Sequence, residues 1–373
     1  MAGASAPPLR LWRRAEAAWA DAHALECSPV VESERMTTAQ ENGGCLLEVR
    51  GLVKHYPFIK RGAGFPRRLK LKAVDGVSFN IAKREVLALV GESGCGKTTT
   101  AKLIAGLEKP DAGEICFHGM NIAQATRREL RELRPKVQMV FQDPLSSLDP
   151  RMKIGAILEE PLVVNRIGTR AERMQKVSSI LAEVGLPPDA AGRYAHEFSG
   201  GQRQRIGIGR ALIMRPELII ADEPVSALDV SIQAQILNLL LELRDRYDLS
   251  ILLIAHDLSV VRAVSERVAI MYLGRIAEIG RTDEVFSHPL HPYTQALLAA
   301  VPVPDPSVKL SPPALAGEVP SPVDLPPGCR FAARCPHAMQ RCRIVEPGLA
   351  GSADQPEHEV ACFLYDYVDE SID

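Results

Sequence analysis

The chain has 373 residues, enough for roughly two or three domains with buried cores, so a small disulfide-stapled protein is excluded. Its 44 Lys and Arg nearly balance its 46 Asp and Glu, and the resulting net charge of −2 gives no overall basic field that would attract nucleic acid. Half of the 28 prolines and four of the 8 cysteines lie between Pro289 and Cys362, so we expect a distinct C-terminal part.

The N-terminal residues and the apolar runs bear on membrane insertion. No apolar run reaches the roughly 18 residues that a membrane-spanning helix needs. Residues 1–45 lack the apolar core of a secretory signal, and we predict that they form a flexible N-terminal extension. The pattern predicts a chain that stays in the reducing cytoplasm and does not itself cross a bilayer.

From Leu46 onward, short β-rich runs alternate with helical runs and glycines mark the joints, which predicts an α/β fold with a parallel sheet over 46–286. Apolar residues between 143 and 215 follow helical spacing, which predicts a helical insert. Residues 287–373 form a Pro- and Cys-rich extension, with a weakly structured linker at 302–327. The strands and helices predicted nearest the motifs are Glu85–Val90, Thr98–Leu107, Gly201–Met214, Glu217–Asp222, Ser231–Tyr247 and Ser250–Ala255.

The segment Gly91-Glu92-Ser93-Gly94-Cys95-Gly96-Lys97-Thr98 matches the P-loop pattern G-x-x-x-x-G-K-[ST]. It follows a predicted strand and opens a predicted helix, which is the context that this motif requires. Its glycines let backbone N–H groups turn towards phosphate oxygens, Lys97 supplies a cation, and the Thr98 hydroxyl is a ligand for Mg²⁺. The segment predicts a nucleotide phosphate site.

Polar residues also end two other predicted strands. Asp222 and Glu223 follow one apolar strand, and His256 follows the next. Ligands collect at the carboxyl ends of parallel strands, so we predict that Asp222 holds Mg²⁺ and that Glu223 polarises the attacking water. The His256 imidazole is predicted to contact the γ-phosphate or that water.

The segment Ser199-Gly200-Gly201-Gln202 is typical of a capping box that opens a helix, since Ser199 and Gln202 have the S-x-x-Q spacing. The box leaves the two glycines unexplained, because each costs about 1 kcal/mol relative to Ala inside a helix. A group that approaches the backbone closely would explain them, and a helix N-terminus without side chains is a site for anions.

Together these motifs resemble those of an ATP-binding cassette (ABC) ATPase, and the resemblance covers the chain from Leu46 to its end. The motifs, in chain order, are Gly91–Thr98, Gln142 in Val140–Asp143, Ser199–Gln202, Asp222-Glu223, Asp229 in Ser226–Asp229, and His256. The fold that this resemblance implies is a P-loop NTPase with a helical subdomain. Phe198 stands where the family commonly has a leucine, and both side chains are apolar.

The resemblance implies an ATPase with ATP and Mg²⁺ as cofactors. It implies that Glu223, His256 and Gln142 are catalytic, that Thr98, Gln142 and Asp222 bind Mg²⁺, and that Tyr56 stacks on adenine. The residues implied to contact the nucleotide are Tyr56, Gly91, Ser93, Gly94, Cys95, Gly96, Lys97, Thr98, Thr99, Gln142, Ser199, Gly200, Gly201, Gln202, Asp222 and Asp229. The Ser199 helix of one subunit would face the nucleotide on another, and this chain has one P-loop, so a second cassette is expected.

Further details resemble the F-type ATPase subunit of oligopeptide and dipeptide importers. They are the basic stretch Lys60–Lys72, Cys95, Pro224–Ser231 and His288–Thr294. The resemblance implies a heterodimer with a D-type ATPase, two membrane permeases docked near 142–151, and an extracytoplasmic peptide-binding protein. It places the chain peripherally on the cytoplasmic face of the cell membrane, without nucleic acid.

Four cysteines in the extension, Cys329, Cys335, Cys342 and Cys362, are candidate metal ligands. Disulfides are disfavoured in a reducing cytosol, and the gaps between the cysteines are wider than those of common zinc sites. Iron–sulfur clusters accept looser spacing. The resemblance to importer ATPases that carry such a cluster leads us to favour [4Fe–4S] over zinc, with His337 as an alternative ligand.

Two other functions fit the same motifs. The first is import of a non-peptide ligand, such as nickel or a sugar oligomer, because the ATPase residues do not read the cargo. The second is a soluble ABC ATPase of DNA repair or translation. Such proteins commonly carry two cassettes or a long coiled coil, and neither is visible in this sequence.

Overall fold

The structure is a computed structural model that describes residues 44–60, 67–143, 147–301, 320–323, 325–351 and 355–365. The N-terminal extension predicted for residues 1–45 lies outside the described residues except for its last two, and so does the linker predicted at 302–327 except for its C-terminal end. Within the described ranges, no helix combines the length and the apolar character needed to span a membrane.

The chain divides into two compact units. The P-loop unit consists of Leu46–Ile81, Val86–Leu130 and the residues from Leu252 onward, and the helical unit contains Ala82–Glu85 and Arg131–Ile251. The P-loop unit therefore takes residues from both sides of the predicted limit at 286, and the predicted domain limits stay a prediction.

The P-loop unit contains two groups of paired strands. The first has the order β2-β1-β4-β5, with β1 and β4 antiparallel. The second group has the order β10-β9-β3-β8. Strand β9 pairs in parallel with β3 and antiparallel with β10. The strands are β1 (Cys45–Lys60), β2 (Arg67–Ala82), β3 (Val86–Val90), β4 (Ala112–Phe117), β5 (Met120–Asn121), β8 (Ser250–Ala255), β9 (Arg267–Tyr272) and β10 (Arg275–Arg281).

The predicted strands around the P-loop are confirmed to within one residue. Every residue of β3 and of β8 is buried, which explains why both segments read as continuous apolar runs rather than as alternating ones. Five helices accompany these strands. They are α1 (Lys97–Ile104), α2 (Arg127–Leu133), α7 (Leu258–Val264), α8 (Thr282–Ser287) and α9 (Pro292–Ala299). Helix α1 follows β3 through the glycine-rich turn, as the sequence predicts.

The helical unit carries the predicted helices. Strands β6 (Val137–Val140) and β7 (Leu218–Asp222) pair in parallel. In the described part of this unit, three helices lie between β6 and β7 in the chain and a fourth follows β7. The helices are α3 (Ile154–Val164), α4 (Arg170–Glu183), α5 (Gly200–Leu212) and α6 (Val230–Tyr247). The apolar residues that predict α3 and α4, such as Ile157 and Ile180, are buried, so helical spacing identified the inner faces.

The described part of the C-terminal extension is packed into the P-loop unit. Strand β12 (Glu359–Val360) pairs with β10, placing Glu359 opposite Ile279, and β11 (Ala350–Gly351) pairs with β12. Phe331 is 2% exposed and its ring lies 5.4 Å from that of Tyr272 and 5.5 Å from that of Tyr293. The extension is poor in apolar residues, and this aromatic group supplies it with a core.

Candidate nucleotide-binding site and cysteine cavity

Two glycines of the P-loop stand where no side chain fits. A Cβ on Gly91 would lie 2.1 Å from the carbonyl oxygen of Met271, and one on Gly96 would lie 2.1 Å from that of Ala73. Gly96 also has a φ of 110°, a region that other residues avoid, and it caps α1. The loop is therefore held against neighbouring backbone, and its glycines are required sterically.

Lys97 lies over this loop as the first residue of α1. Its Nζ donates to the carbonyl oxygens of Gly91 (2.7 Å) and Glu92 (3.1 Å) and lies 3.8 Å from the Cys95 sulfur. The ammonium thus lies at the loop and the helix N-terminus, where the sequence predicts that phosphate oxygens bind. Burial raises the pKa of the Cys95 thiol although Lys97 opposes this, so the thiol is protonated at neutral pH. Ser93 and Thr98 are exposed beside it.

Tyr56 lies on β1 and is half-buried, so it is not a core residue. Its hydroxyl donates to the Glu108 carboxylate and also contacts the side chain of Thr99, which follows the P-loop. Partial burial, together with Glu108, raises the pKa of Tyr56 to about 12. The structure therefore brings Tyr56 and Thr99 together beside the P-loop, and the stacking of Tyr56 on adenine stays a prediction.

Strand register explains how Gln142 and Glu223 meet. Strands β6 and β7 pair in parallel with Val140 opposite Ala221, so the residues that follow the two strands emerge at the same edge. Gln142 Nε2 donates to Glu223 Oε2 at 2.8 Å. Asp222 is 3% exposed at the end of β7, and Glu223 has a φ of 44°. A positive φ is uncommon for a residue other than glycine, and such strain is often found at active sites.

The predicted capping box at Ser199 is confirmed. The Gln202 N–H donates to Ser199 Oγ at 3.3 Å, and the Ser199 N–H donates to Gln202 Oε1 at 3.0 Å. The two glycines have a reason within the chain: a Cβ on Gly201 would lie 2.5 Å from an Ile232 methyl, and one on Gly200 would lie 3.2 Å from a Leu228 methyl. The close approach that the sequence leads one to expect from a ligand is made here by the chain itself.

The two remaining predicted site residues stand at element ends. Asp229 is the exposed residue that precedes α6, and its side chain makes no capping hydrogen bond there. His256 follows β8 and is exposed. The position of His256 agrees with the strand end from which it was predicted, whereas Asp229 was predicted only from the family motif, and the roles of both residues stay predictions. The P-loop and His256 belong to the P-loop unit, whereas Gln142, Ser199–Gln202, Asp222, Glu223 and Asp229 belong to the helical unit.

The four cysteines of the extension line a single cavity, together with His337 and Phe331. Burial is the main cause that raises the pKa of the Cys329 thiol to about 11, and the neighbouring thiols of Cys342, Cys362 and Cys335 contribute to this rise. Burial likewise raises the pKa of Cys335 and of Cys362. The four cysteines form no disulfide among the described residues. Within those residues no group of three or more His, Cys, Asp or Glu side chains is arranged to hold a metal ion.

Comparison with known proteins decides the family. Residues 74–226 match the family described as ABC transporter, and residues 277–342 match the oligopeptide/dipeptide transporter C-terminal region. The oligopeptide transport ATP-binding protein AppF of Bacillus subtilis is 51% identical over 334 residues, which cover 88% of this chain and 100% of AppF. The chain belongs to the ABC transporter family. The dipeptide transport ATP-binding protein DppF of Escherichia coli is 47% identical over 321 residues, which cover 86% of this chain and 95% of DppF.

Solved ABC structures agree with the fold. A dimeric ATP-binding cassette in a post-hydrolysis state, bound to ADP and phosphate, matches with a TM-score of 0.56 and 28% identity, covering 64% of this chain and 99% of that one. CbiO1 from Clostridium perfringens, part of an ABC transporter complex, matches with a TM-score of 0.56 and 29% identity over 65% of this chain and 91% of CbiO1. The predicted P-loop NTPase fold and the prediction of an ABC ATPase are confirmed.

Sequence reasoning missed how the extension of this ABC ATPase contacts the P-loop. Arg334 forms an ion pair with Glu92, the second residue of the P-loop motif, and the Glu92 N–H donates to the Tyr293 hydroxyl at 3.0 Å. Arg330 pairs with Asp75. Neither arginine belongs to a motif, and Glu92 occupies a variable position of the P-loop pattern, so the sequence carries no signal for these contacts.

Proposed function

We propose that this ABC ATPase is the ATP-hydrolysing subunit of a peptide importer, in which ATP binding and hydrolysis drive substrate uptake. The observation that carries the proposal is the oligopeptide/dipeptide transporter C-terminal region at residues 277–342, joined to an ABC cassette. The names of AppF and DppF, oligopeptide and dipeptide transport proteins, support the same cargo class.

In this proposal the residues of the site divide the work of hydrolysis. The P-loop N–H groups and Lys97 bind the β- and γ-phosphates, and Thr98, Gln142 and Asp222 hold Mg²⁺. The Glu223 carboxylate accepts a proton from water as the water oxygen bonds to the γ-phosphorus. The bond from that phosphorus to the bridging oxygen breaks, and ADP and phosphate are released.

Gln142 has a second task in this proposal. Its amide donates to the Glu223 carboxylate at 2.8 Å, which orients the proposed base at the end of β7. His256 is proposed to contact the γ-phosphate, and Tyr56 to stack on adenine. Ser199, Gly200 and Gly201, at the start of α5, present backbone N–H groups to the nucleotide of a second cassette.

The proposed partners follow from the single P-loop of the chain and from its family. They are a D-type ATPase that completes a heterodimer, two membrane permeases that dock near residues 142–151, and an extracytoplasmic peptide-binding protein. The ATPase is then a peripheral protein on the cytoplasmic face of the cell membrane. Phe141, an exposed aromatic residue in the helical unit, is available for the permease contact.

Uptake competition tests the cargo. Cells that carry the intact chain are expected to accumulate a labelled dipeptide or oligopeptide, and cells in which the chain is disrupted are expected to lose most of that uptake. An excess of unlabelled peptide should compete, whereas nickel ions or a sugar oligomer should not. Unchanged peptide uptake together with lost nickel or sugar uptake would assign the alternative cargo. Recovery of the chain without any membrane permease would favour a soluble ABC ATPase.

The cysteine cavity is proposed to hold a [4Fe–4S] cluster, with Cys329, Cys335, Cys342 and Cys362 as its ligands. Four cysteine thiols are the donor set that such a cluster takes. Their burial and mutual proximity disfavour thiolates when no cation is present, as the raised pKa of Cys329 indicates. Positively charged iron would remove that penalty. Zinc is the alternative, and either metal would stabilise the extension.

Metal analysis distinguishes the two. The full chain purified without oxygen is expected to contain about four iron atoms and about four acid-labile sulfides per molecule, since a cubane cluster has that composition. Cys342→Ser, at a buried cysteine, should lower the iron content strongly, whereas Cys116→Ser, on β4 and outside the cavity, should not. One equivalent of zinc without iron would contradict the cluster.

A further inference from the structure

The segment between Cys329 and Cys335 carries two buried arginines, Arg330 and Arg334, that reach other parts of the P-loop unit. Arg334 is 8% exposed and binds Glu92 through both ends of its guanidinium, with Nη1 at 2.9 Å from Oε2 and Nη2 at 3.1 Å from Oε1. Its Nη1 also donates to the Tyr272 hydroxyl at 3.2 Å. This bidentate, charge-assisted geometry is stronger and more directional than a single contact.

Glu92 is also held through its backbone. Its N–H donates to the hydroxyl of Tyr293, a side chain on α9 with no exposed surface. Its carbonyl oxygen accepts from Lys97 Nζ at 3.1 Å. One residue of the P-loop therefore joins two parts of the extension, Arg334 and helix α9, to the lysine expected to bind phosphate.

We propose that Arg334 is a positioning residue for ATP binding, acting through Glu92 on the shape of the P-loop. A loop that is already fixed before the ligand arrives loses less entropy on binding. The Arg334–Glu92 ion pair therefore raises the affinity of the loop for the phosphates. When this ion pair is lost, part of the binding free energy of the nucleotide is spent on ordering the loop. Binding then weakens, while the chemical step at Glu223, in the helical unit, proceeds as before.

A second contact of the same segment supports this role. Arg330 is 5% exposed and pairs with Asp75 and, at 2.9 Å, with Glu346. Asp75 Oδ1 lies 2.8 Å from Nε2 of His55, the neighbour of Tyr56. Burial alone would favour neutral Asp75, but hydrogen bonds from Arg330 and His55 outweigh burial and lower its pKa to about 2. The segment thus contacts the P-loop through Glu92 and, through Asp75 on β2, the neighbour of Tyr56, which is proposed to stack on adenine.

Nucleotide binding by the full chain tests the proposal, with MgADP as the probe in calorimetry. Arg334→Gln and Glu92→Gln are each expected to raise the Kd for MgADP about fivefold to tenfold, a typical coupling for residues in contact. Arg334→Lys keeps the charge but loses the bidentate contact of the guanidinium, so its Kd for MgADP should lie between those of the two Gln variants and that of wild type. Arg343→Gln removes an exposed arginine from the same extension and should leave the Kd unchanged.

Two further readouts separate positioning from general structural damage. The double variant Arg334→Gln/Glu92→Gln should have a Kd for MgADP no higher than that of the single variant with the higher Kd, because each change breaks the same ion pair. In the assembled transporter the KM for ATP should rise while kcat stays within about twofold. Additive effects, an unchanged Kd in folded variants, or a fall in kcat at constant KM would overturn the proposal. Should Arg334→Gln fail to fold, Glu92→Gln decides, since the Glu92 side chain is 25% exposed.

Discussion

Glu223→Gln is expected to lower the kcat for ATP hydrolysis by roughly a hundredfold to ten-thousandfold, the range that removal of a general base produces. The amide has nearly the shape of the carboxylate but does not take a proton from water. Gln142 donates to Glu223 Oε2 at 2.8 Å, and the amide oxygen of the variant accepts the same hydrogen bond. The positive φ of 44° belongs to the backbone and does not depend on the carboxylate. The site should therefore keep its geometry.

The measurement is phosphate release from the assembled complex, together with MgATP binding. Binding should remain within a few-fold of wild type, because Glu223 is assigned to the water and not to the phosphates. Glu242→Gln, on the exposed side of α6, is the matched control and should hydrolyse ATP at the normal rate. Unchanged steady-state hydrolysis by Glu223→Gln would show that Glu223 is not the base.

Lys97→Ala is expected to weaken MgADP binding by about a hundredfold, because the change removes a buried cation from a phosphate site. Lys97 is 6% exposed, so its charge acts in a poorly solvated environment. Its Nζ also donates to the carbonyl oxygens of Gly91 and Glu92, and the loop would lose this support. Both effects act in the same direction.

Calorimetric titration of the full chain with MgADP measures this loss directly. Lys83→Ala removes an exposed lysine outside the P-loop and serves as the control. Thermal unfolding of Lys97→Ala without nucleotide would reveal any loss of fold. A folded Lys97→Ala variant that binds MgADP as wild type does would contradict the assignment of Gly91–Thr98 as the phosphate site.

Local signals explain which parts of the site were predictable. The P-loop lies between an apolar run and a helix, and the Ser199 capping box is complete within four residues, so each could be recognised from neighbouring residues alone. The bond between Gln142 and Glu223 depends on the register of β6 and β7, which no local pattern specifies. The Arg334–Glu92 ion pair joins residues 242 positions apart, one of them at a variable position of the motif.

The motif Ser199–Gln202 was recognised from sequence, but the reason for its two glycines was only partly predicted. From sequence, the cost of Gly200 and Gly201 in a helix predicts a group that approaches the backbone. In the structure the approaching groups are side chains of this chain: a Cβ on Gly200 would lie 3.2 Å from a Leu228 methyl, and one on Gly201 would lie 2.5 Å from an Ile232 methyl. Because Ile232 lies in α6, which begins just after Asp229, packing between α5 and α6 alone requires a small residue at 201. A role of the two glycines in nucleotide binding stays a prediction.

ATP-driven peptide uptake into vesicles that contain the assembled transporter is the direct test that hydrolysis by this chain drives peptide import. Phosphate release and accumulation of a labelled oligopeptide are measured in the same sample, with the wild-type chain and with Glu223→Gln. Wild type is expected to hydrolyse MgATP and to accumulate peptide, and Glu223→Gln is expected to lose both activities while it still binds MgATP. Peptide accumulation that continues at the wild-type rate with Glu223→Gln, or ATP hydrolysis without any peptide accumulation by the wild type, would contradict ATP-driven peptide import by this chain.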